Sequence, residues 1–258
     1  MIKERKKILI NYIRNHFAVI YFTLLFISNL KYFFSRQGWF LLIYNIWNFL
    51  TFIYCTLLNK QIFYVIGDSH TFIFMRKKHF IVYHLGPTTA YNLKNKSSTT
   101  NSNENLWKKI NKINKKHILI LVFGEIDCRI HIYYQYRKNN RKIKLIKLID
   151  NTINSYGQLL EKLKFIDLNF YVLGIPPASK QDNIYDYKFY APPRMRSLIS
   201  REFNMRLKQY CLNNNYKYID VYQKTSDKNG FILNNYAKDE VHLNAKVLTY
   251  ILEVIKKN

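Results

Sequence analysis

The stretch Ile62-Phe63-Tyr64-Val65-Ile66-Gly67-Asp68-Ser69-His70 joins an apolar run, rich in β-branched and aromatic residues, to a glycine and a serine. Such a run predicts a buried strand over 62–66 that ends at a turn. Ser69 then falls at the carboxyl end of the strand, where α/β sheets open the crevice that receives ligands, with its backbone N–H at the start of the next helix. A serine hydroxyl becomes a useful nucleophile only when a base takes its proton and a third group orients that base. Asp239-Glu240-Val241-His242, near the other end of the chain, holds both missing parts. Three positions apart, Asp239 can orient one ring nitrogen of His242 while the other faces Ser69. Each string alone is commonplace: Gly-Asp-Ser arises by chance, and Asp-x-x-His is more often a helix cap beside a surface histidine. Their order along the chain and their predicted contexts give the pair its meaning.

The 258 residues allow one domain of about 200 residues plus an extension. Nothing suggests a repeat array. Lys and Arg number 41 against 16 Asp and Glu, a formal charge of +25, which raises the question of a nucleic-acid or anionic-membrane partner. Lys, Asn, Ile, Tyr and Phe share A/T-rich codons, however, so a biased genome accounts for much of this composition. The basic residues are dispersed, as in Arg76-Lys77-Lys78 and 137–147, with no zinc finger, RNA-binding or helix-turn-helix pattern; nucleic acid is not the expected partner. Cys55, Cys128 and Cys211 show neither metal-ligand spacing nor a disulfide framework, which favours a reducing compartment for the main domain. Cys128 reads as a small buried filler in preference to a nucleophile.

Residues 1–60 differ from the rest. A basic start at Lys3, Arg5, Lys6 and Lys7 precedes an apolar stretch over 17–30, and a second over 39–58 is uncharged, with Asn45 and Asn48 as interruptions. The second is long enough to cross a bilayer as a helix, whereas the first is marginal. No small-residue cleavage site follows the first, which argues against a cleaved signal peptide. The expectation is a hydrophobic helical extension that attaches the chain to a membrane. A two-helix hairpin would leave the domain cytoplasmic and a single span would export it. The competing reading is a pair of amphipathic helices packed on the domain or on a second subunit, with Asn45 and Asn48 marking a polar face.

From residue 61 to 258 strand-like and helix-like segments alternate, as in an α/β sandwich with a largely parallel sheet. Strands are predicted over 79–84, 117–123, 170–175 and 216–221. Helices are predicted over 106–113, 195–212 and 245–256, and a long one carries Leu145, Ile149, Ile153, Leu159, Leu160 and Leu163. The polar tract 94–104 reads as a loop, and the segment 178–193 is long enough to form part of a binding rim. The third strand ends in Gly124-Glu125-Ile126-Asp127-Cys128-Arg129. Continued strand alternation would put Glu125, Asp127 and Arg129 on one side and Ile126 with Cys128 on the other.

With these residues in view, 61–258 resembles the SGNH or GDSL hydrolase superfamily of serine esterases and acyltransferases. The resemblance implies a three-layer α/β/α sandwich with a flavodoxin-like, mostly parallel sheet. It implies Ser69 in Gly-Asp-Ser-His as nucleophile, Asp239 and His242 as its partners, and Gly86 at the second strand end as a backbone donor to the oxyanion. The family's third block normally reads Gly-x-Asn-Asp, with the asparagine as a further donor; here isoleucine stands in that place, at Ile126. Arg129 either compensates, donating to an oxyanion or to an acidic substrate group, or pairs with Glu125 to brace the strand end. His70 is either a substrate contact or the first residue of the helix. No metal or organic cofactor is expected. The resemblance implies an acyl ester, with an acetyl group on a carbohydrate or cell-envelope polymer as the expected substrate. The rival reading is a catalytically weak, membrane-tethered protein that binds an anionic glycan or lipid.

Overall fold

The structure is a computed structural model that describes residues 36–95, 101–182 and 189–257, without the side chains of 36–41. The described residues fall into two compact units, one of 36–63 with 75–82, the other of 64–74 with 83–257. The apolar stretch 17–30 and the basic start lie outside the described residues.

The strands are β1 (Phe63–Gly67), β2 (Phe80–His84), β3 (Ile118–Val122), β4 (Phe170–Leu173) and β5 (Lys217–Ile219), in sheet order β2-β1-β3-β4-β5. β3 pairs with β4 and β4 with β5 in parallel, Ile120 opposite Tyr171 and Val172 opposite Tyr218. The alternating segments implied a largely parallel sheet, and the order is the flavodoxin-like one that the resemblance implied. Consecutive residues of β3 and β4 are buried whichever face they point to, so helices must cover both faces of the sheet, and that explains why these strands are uninterrupted apolar runs.

The covering helices are α2 (Ser102–Ile110), α3 (Ile132–Lys138), α4 (Leu145–Phe165), α5 (Pro193–Asn213), α6 (Val221–Thr225) and α7 (Val247–Lys257). Ile149, Ile153, Tyr156, Leu160 and Leu163 form the buried stripe of α4, the helical spacing read from the sequence. Helix α2 begins at Ser102, inside the tract read as a loop. Its apolar stripe starts only at Leu106, and asparagine and serine ahead of it look like a linker when no partner is known.

The unit of 36–63 and 75–82 contains α1 (Arg36–Leu57). Among the described residues no helix is long and apolar enough to cross a membrane, so the expected span over 39–58 finds no support there. The physical reason is visible at its polar residues. Asn48 is buried; its Nδ2 donates to the Val82 carbonyl at 2.9 Å and its Oδ1 accepts the Val82 N–H at 3.2 Å. The side-chain amide thus satisfies both backbone groups of one β2 residue, as a neighbouring strand would. Tyr44 donates its hydroxyl to the same carbonyl. The long apolar run is a helix on which Asn48 and Tyr44 are bonded to protein partners.

One contact fixes where β1 delivers its next residues. Asp68 N–H donates to the Val122 carbonyl at 3.2 Å, and a Cβ on Gly67 would fall on that carbonyl and within 2.7 Å of the Val122 Cβ. Only glycine permits this approach. Gly67→Ala is expected to cost about 3 kcal/mol or more, since neither backbone can give way; guanidinium unfolding at equilibrium measures it. Asn48→Ala leaves a buried Val82 N–H without its acceptor and is expected to cost about 1–3 kcal/mol by the same measurement.

Candidate active site

β1 ends at Gly67, and Ser69 opens a short 3₁₀ helix, Ser69–Phe74. Asp68 braces this turn: its carbonyl accepts from the Thr71 N–H and hydroxyl at 3.1 and 2.7 Å, and its Oδ1 accepts the His70 N–H at 2.9 Å. The other half of the site comes from the loop before α7. Lys238 N–H to the His242 carbonyl, at 2.9 Å, closes that loop. Asp239 Oδ1 accepts the N–H groups of Val241 and His242 at 2.9 and 2.8 Å, so the carboxylate is clamped by its own loop before it meets the imidazole.

The two strings meet. His242 Nδ1 lies 2.9 and 3.0 Å from the two oxygens of Asp239, and His242 Nε2 lies 2.8 Å from Ser69 Oγ. Because the carboxylate only accepts, Nδ1 carries the proton, which leaves Nε2 as an acceptor for the serine hydroxyl. Burial opposes the charge on Asp239, but the two N–H donors and the His242 ring outweigh it and hold its carboxyl below the usual value. Burial also lowers the pKa of His242, and the nearby His70 ring lowers it further, while Asp239 and Glu125 pull the other way.

Gly86 follows β2 in a turn held by Leu85 N–H to the Gly67 carbonyl and Thr88 N–H to the Gly86 carbonyl, both 2.8 Å. The first of these bonds ties the Gly86 turn to the strand end that carries Ser69. Its φ of 75° calls for glycine although a Cβ there would meet nothing within 4 Å.

The segment after β3 departs from the sequence expectation. Residues 125–131 are helical, with a π turn over Asp127–His131, so the strand alternation assumed for Glu125, Asp127 and Arg129 does not exist. Gly124, at φ 113°, ends the extended run. Asp127 is not a substrate group: it is fully buried and accepts the N–H groups of Ala90 and Tyr91 at 2.7 and 3.2 Å. It pins the segment just after the Gly86 turn. Burial pushes its carboxyl up to about 7 against the pull of those two donors.

Glu125 and Arg129, one helical turn apart, form an ion pair with Nε to Oε1 at 2.7 Å. Ile126 is buried and supplies no side-chain donor. Cys128 is buried, and burial together with Asp127 and Glu125 pushes its thiol well above the ordinary value, as suits a filler. His70 is also corrected: it is 6% exposed and both ring nitrogens face protein acceptors, Asp68 Oδ1 at 3.1 Å and the Val241 carbonyl at 3.2 Å. It is not available as a substrate contact. The role of Asp68 escaped the sequence reading, although an Asp-x-His spacing was present as a signal, whereas the pairing of Glu125 with Arg129 was one of the two alternatives read for Arg129. Among the described residues no cluster of His, Cys, Asp and Glu could hold a metal ion.

The GDSL-like lipase/acylhydrolase family model matches residues 64–255. A solved structure from Streptococcus pneumonia, named for platelet activating factor, is 13% identical and covers 83% of this chain and 90% of its own, with a TM-score of 0.50. A GDSL-like lipase from Bacteroides thetaiotaomicron is 15% identical over 76% of this chain and 86% of its own, with a TM-score of 0.49. Est24, a carbohydrate acetylesterase from Sinorhizobium meliloti, is 12% identical over 77% of this chain and 98% of its own, also at 0.49. No curated protein matches the chain. Likeness at these identities concerns the fold. The family match spans three quarters of the sequence, from the strand before Ser69 to the last helix, and the chain belongs to the GDSL-like lipase/acylhydrolase family.

Proposed function

We propose that this acylhydrolase acts by covalent ester chemistry on Ser69. The observation that carries the reading is the 2.8 Å contact between Ser69 Oγ and His242 Nε2, made across 173 positions of sequence. In the proposed cycle His242 takes the hydroxyl proton as Ser69 Oγ bonds to the ester carbonyl carbon. Asp239 stabilises the imidazolium, and His242 returns the proton to the departing alcohol as the acyl–oxygen bond breaks. A second passage, with water or another hydroxyl in place of the alcohol, releases the acyl group by hydrolysis or transfer.

The backbone N–H groups of Ser69 and Gly86 are the proposed donors to the tetrahedral oxyanion. With Ile126 where the family places an asparagine, one donor is lost, and such a loss typically costs about 10²- to 10³-fold in rate. The proposed substrate is an acetyl ester of a carbohydrate or cell-envelope polymer. Ile126 also supports a second reading, a weakly catalytic protein that binds an anionic glycan or lipid with its basic surface. Membrane attachment remains a proposal carried by the basic start and the apolar stretch 17–30.

Hydrolysis of a chromogenic acetyl ester by the full chain tests the enzyme reading. Ser69→Ala is expected to lower kcat by about 10³-fold or more, and Asp239→Asn by about 10²- to 10⁴-fold with the fold intact. Equal rates in the wild type and Ser69→Ala would leave the binding reading. Carbonate washing of a membrane fraction tests attachment: retention of the full chain is expected, and its release contradicts it.

A further inference from the structure

His70 follows the nucleophile directly, yet its ring is turned into the protein. Its Nδ1 and Nε2 meet a carboxylate oxygen and a backbone carbonyl. A carbonyl can only accept, and the same Asp68 oxygen already accepts the His70 backbone N–H at 2.9 Å. A neutral imidazole has one N–H and would set acceptor against acceptor at one of the two contacts; the imidazolium donates at both. The ring also lies against His242, with centroids 4.8 Å apart and planes at 37°.

The charged and titratable groups that face this pair come from three elements. Asp68 belongs to the turn after β1, Glu125 to the helical segment after β3, and Asp239 to the loop before α7. Burial opposes a charge on His70, but Asp68, by charge and hydrogen bond, with Glu125 and the Val241 carbonyl, overcomes it and lifts the pKa from 6.5 to about 9.

We propose that His70 is a positioning residue of this site, a buried imidazolium that ties the nucleophile turn to the loop bearing Asp239 and His242 and, by its charge, keeps the His242 ring neutral and ready to take the serine proton. The proposal rests on the Ser69–His242 reading of the reaction. A like charge this close disfavours a second one, and a protonated His242 is a dead base. The bond to Val241, next in sequence to His242, means that one group both places the base and sets its proton affinity.

Imidazole ¹⁵N spectra of the full chain, with His70 assigned by its loss in His70→Gln, read the charge without turnover. The expected result is two protonated ring nitrogens on His70 at pH 7; a neutral tautomer there overturns the proposal. In His70→Gln, which keeps one amide donor, the acid limb of the kcat/KM profile and the His242 titration in the same spectra are expected to move up by about one pH unit. An unmoved His242 titration in a folded variant overturns the tuning role, whatever the loss in kcat. Because the titration needs no substrate, an ester-inactive wild type would sink the enzyme reading while this coupling could still be measured.

The linked stability gives a second readout, should His70→Gln fold poorly. The folded-state pKa is raised, so the stabilisation is complete below about 6.5 and is lost as pH rises through about 9. The unfolding midpoint of the wild type is expected to fall across that window, whereas a flat midpoint contradicts a charged His70.

Discussion

The close approach of two parallel strand ends governs this molecule. Gly67 of β1 lies against the Val122 carbonyl of β3 with no room for a side chain, and the next N–H, that of Asp68, bonds to that carbonyl. The chain therefore leaves β1 already anchored to the central strand. Asp68, His70 and Thr71 are placed by hydrogen bonds of the turn, and Ser69 is carried between them to the carboxyl edge, where its hydroxyl meets His242. A turn hung less firmly would let the hydroxyl wander by the fraction of an ångström that separates a proton acceptor from a bystander.

Around that edge Asp68, His70, His242 and Asp239 form a row of carboxylate, imidazole, imidazole and carboxylate that runs from the buried Asp68 and His70 to the exposed Asp239, with Glu125 nearby. Asp239 accepts two backbone N–H groups of its own loop, and these help to hold it ionised, whereas Asp68 accepts one backbone N–H and the His70 ring. A carboxylate that keeps its charge beside His70 and a His70 charge beside His242 push the two rings in opposite directions, His70 up and His242 down. Environment does here what a difference in residue type does elsewhere.

Much of the fold was legible in the sequence. The continuous apolar strands, the stripe of Ile149 to Leu163 and the closing helix all announce themselves through periodicity, because burial on both faces of a sheet or on one face of a helix leaves a regular trace. The segment after β3 was not legible in the same way. Phe123 and the residues beyond Gly124 look like more strand, and only the left-handed turn at Gly124 and the four-residue spacing of Glu125 and Arg129 mark the change to helix. The apolar run over 39–58 was ambiguous for another reason: hydropathy measures what a segment avoids, and says nothing about whether lipid or protein covers it. Asn48, which looks like a blemish in a membrane span, is the residue that completes the hydrogen bonding of Val82.

The sequence by itself determined the order of strands and helices, the family, and the identity of a serine, an aspartate and a histidine able to work together. These follow from local pattern and from residue chemistry, which need no partner to be recognised. Tertiary structure alone decided that Asp127 serves the Gly86 turn and not the substrate, that Glu125 holds Arg129, and that His70 faces inward to Asp68 and Val241. Hydrogen bonds and charge–charge energies depend on distance and burial across residues far apart in the chain, and those distances come into being only when the sheet has closed.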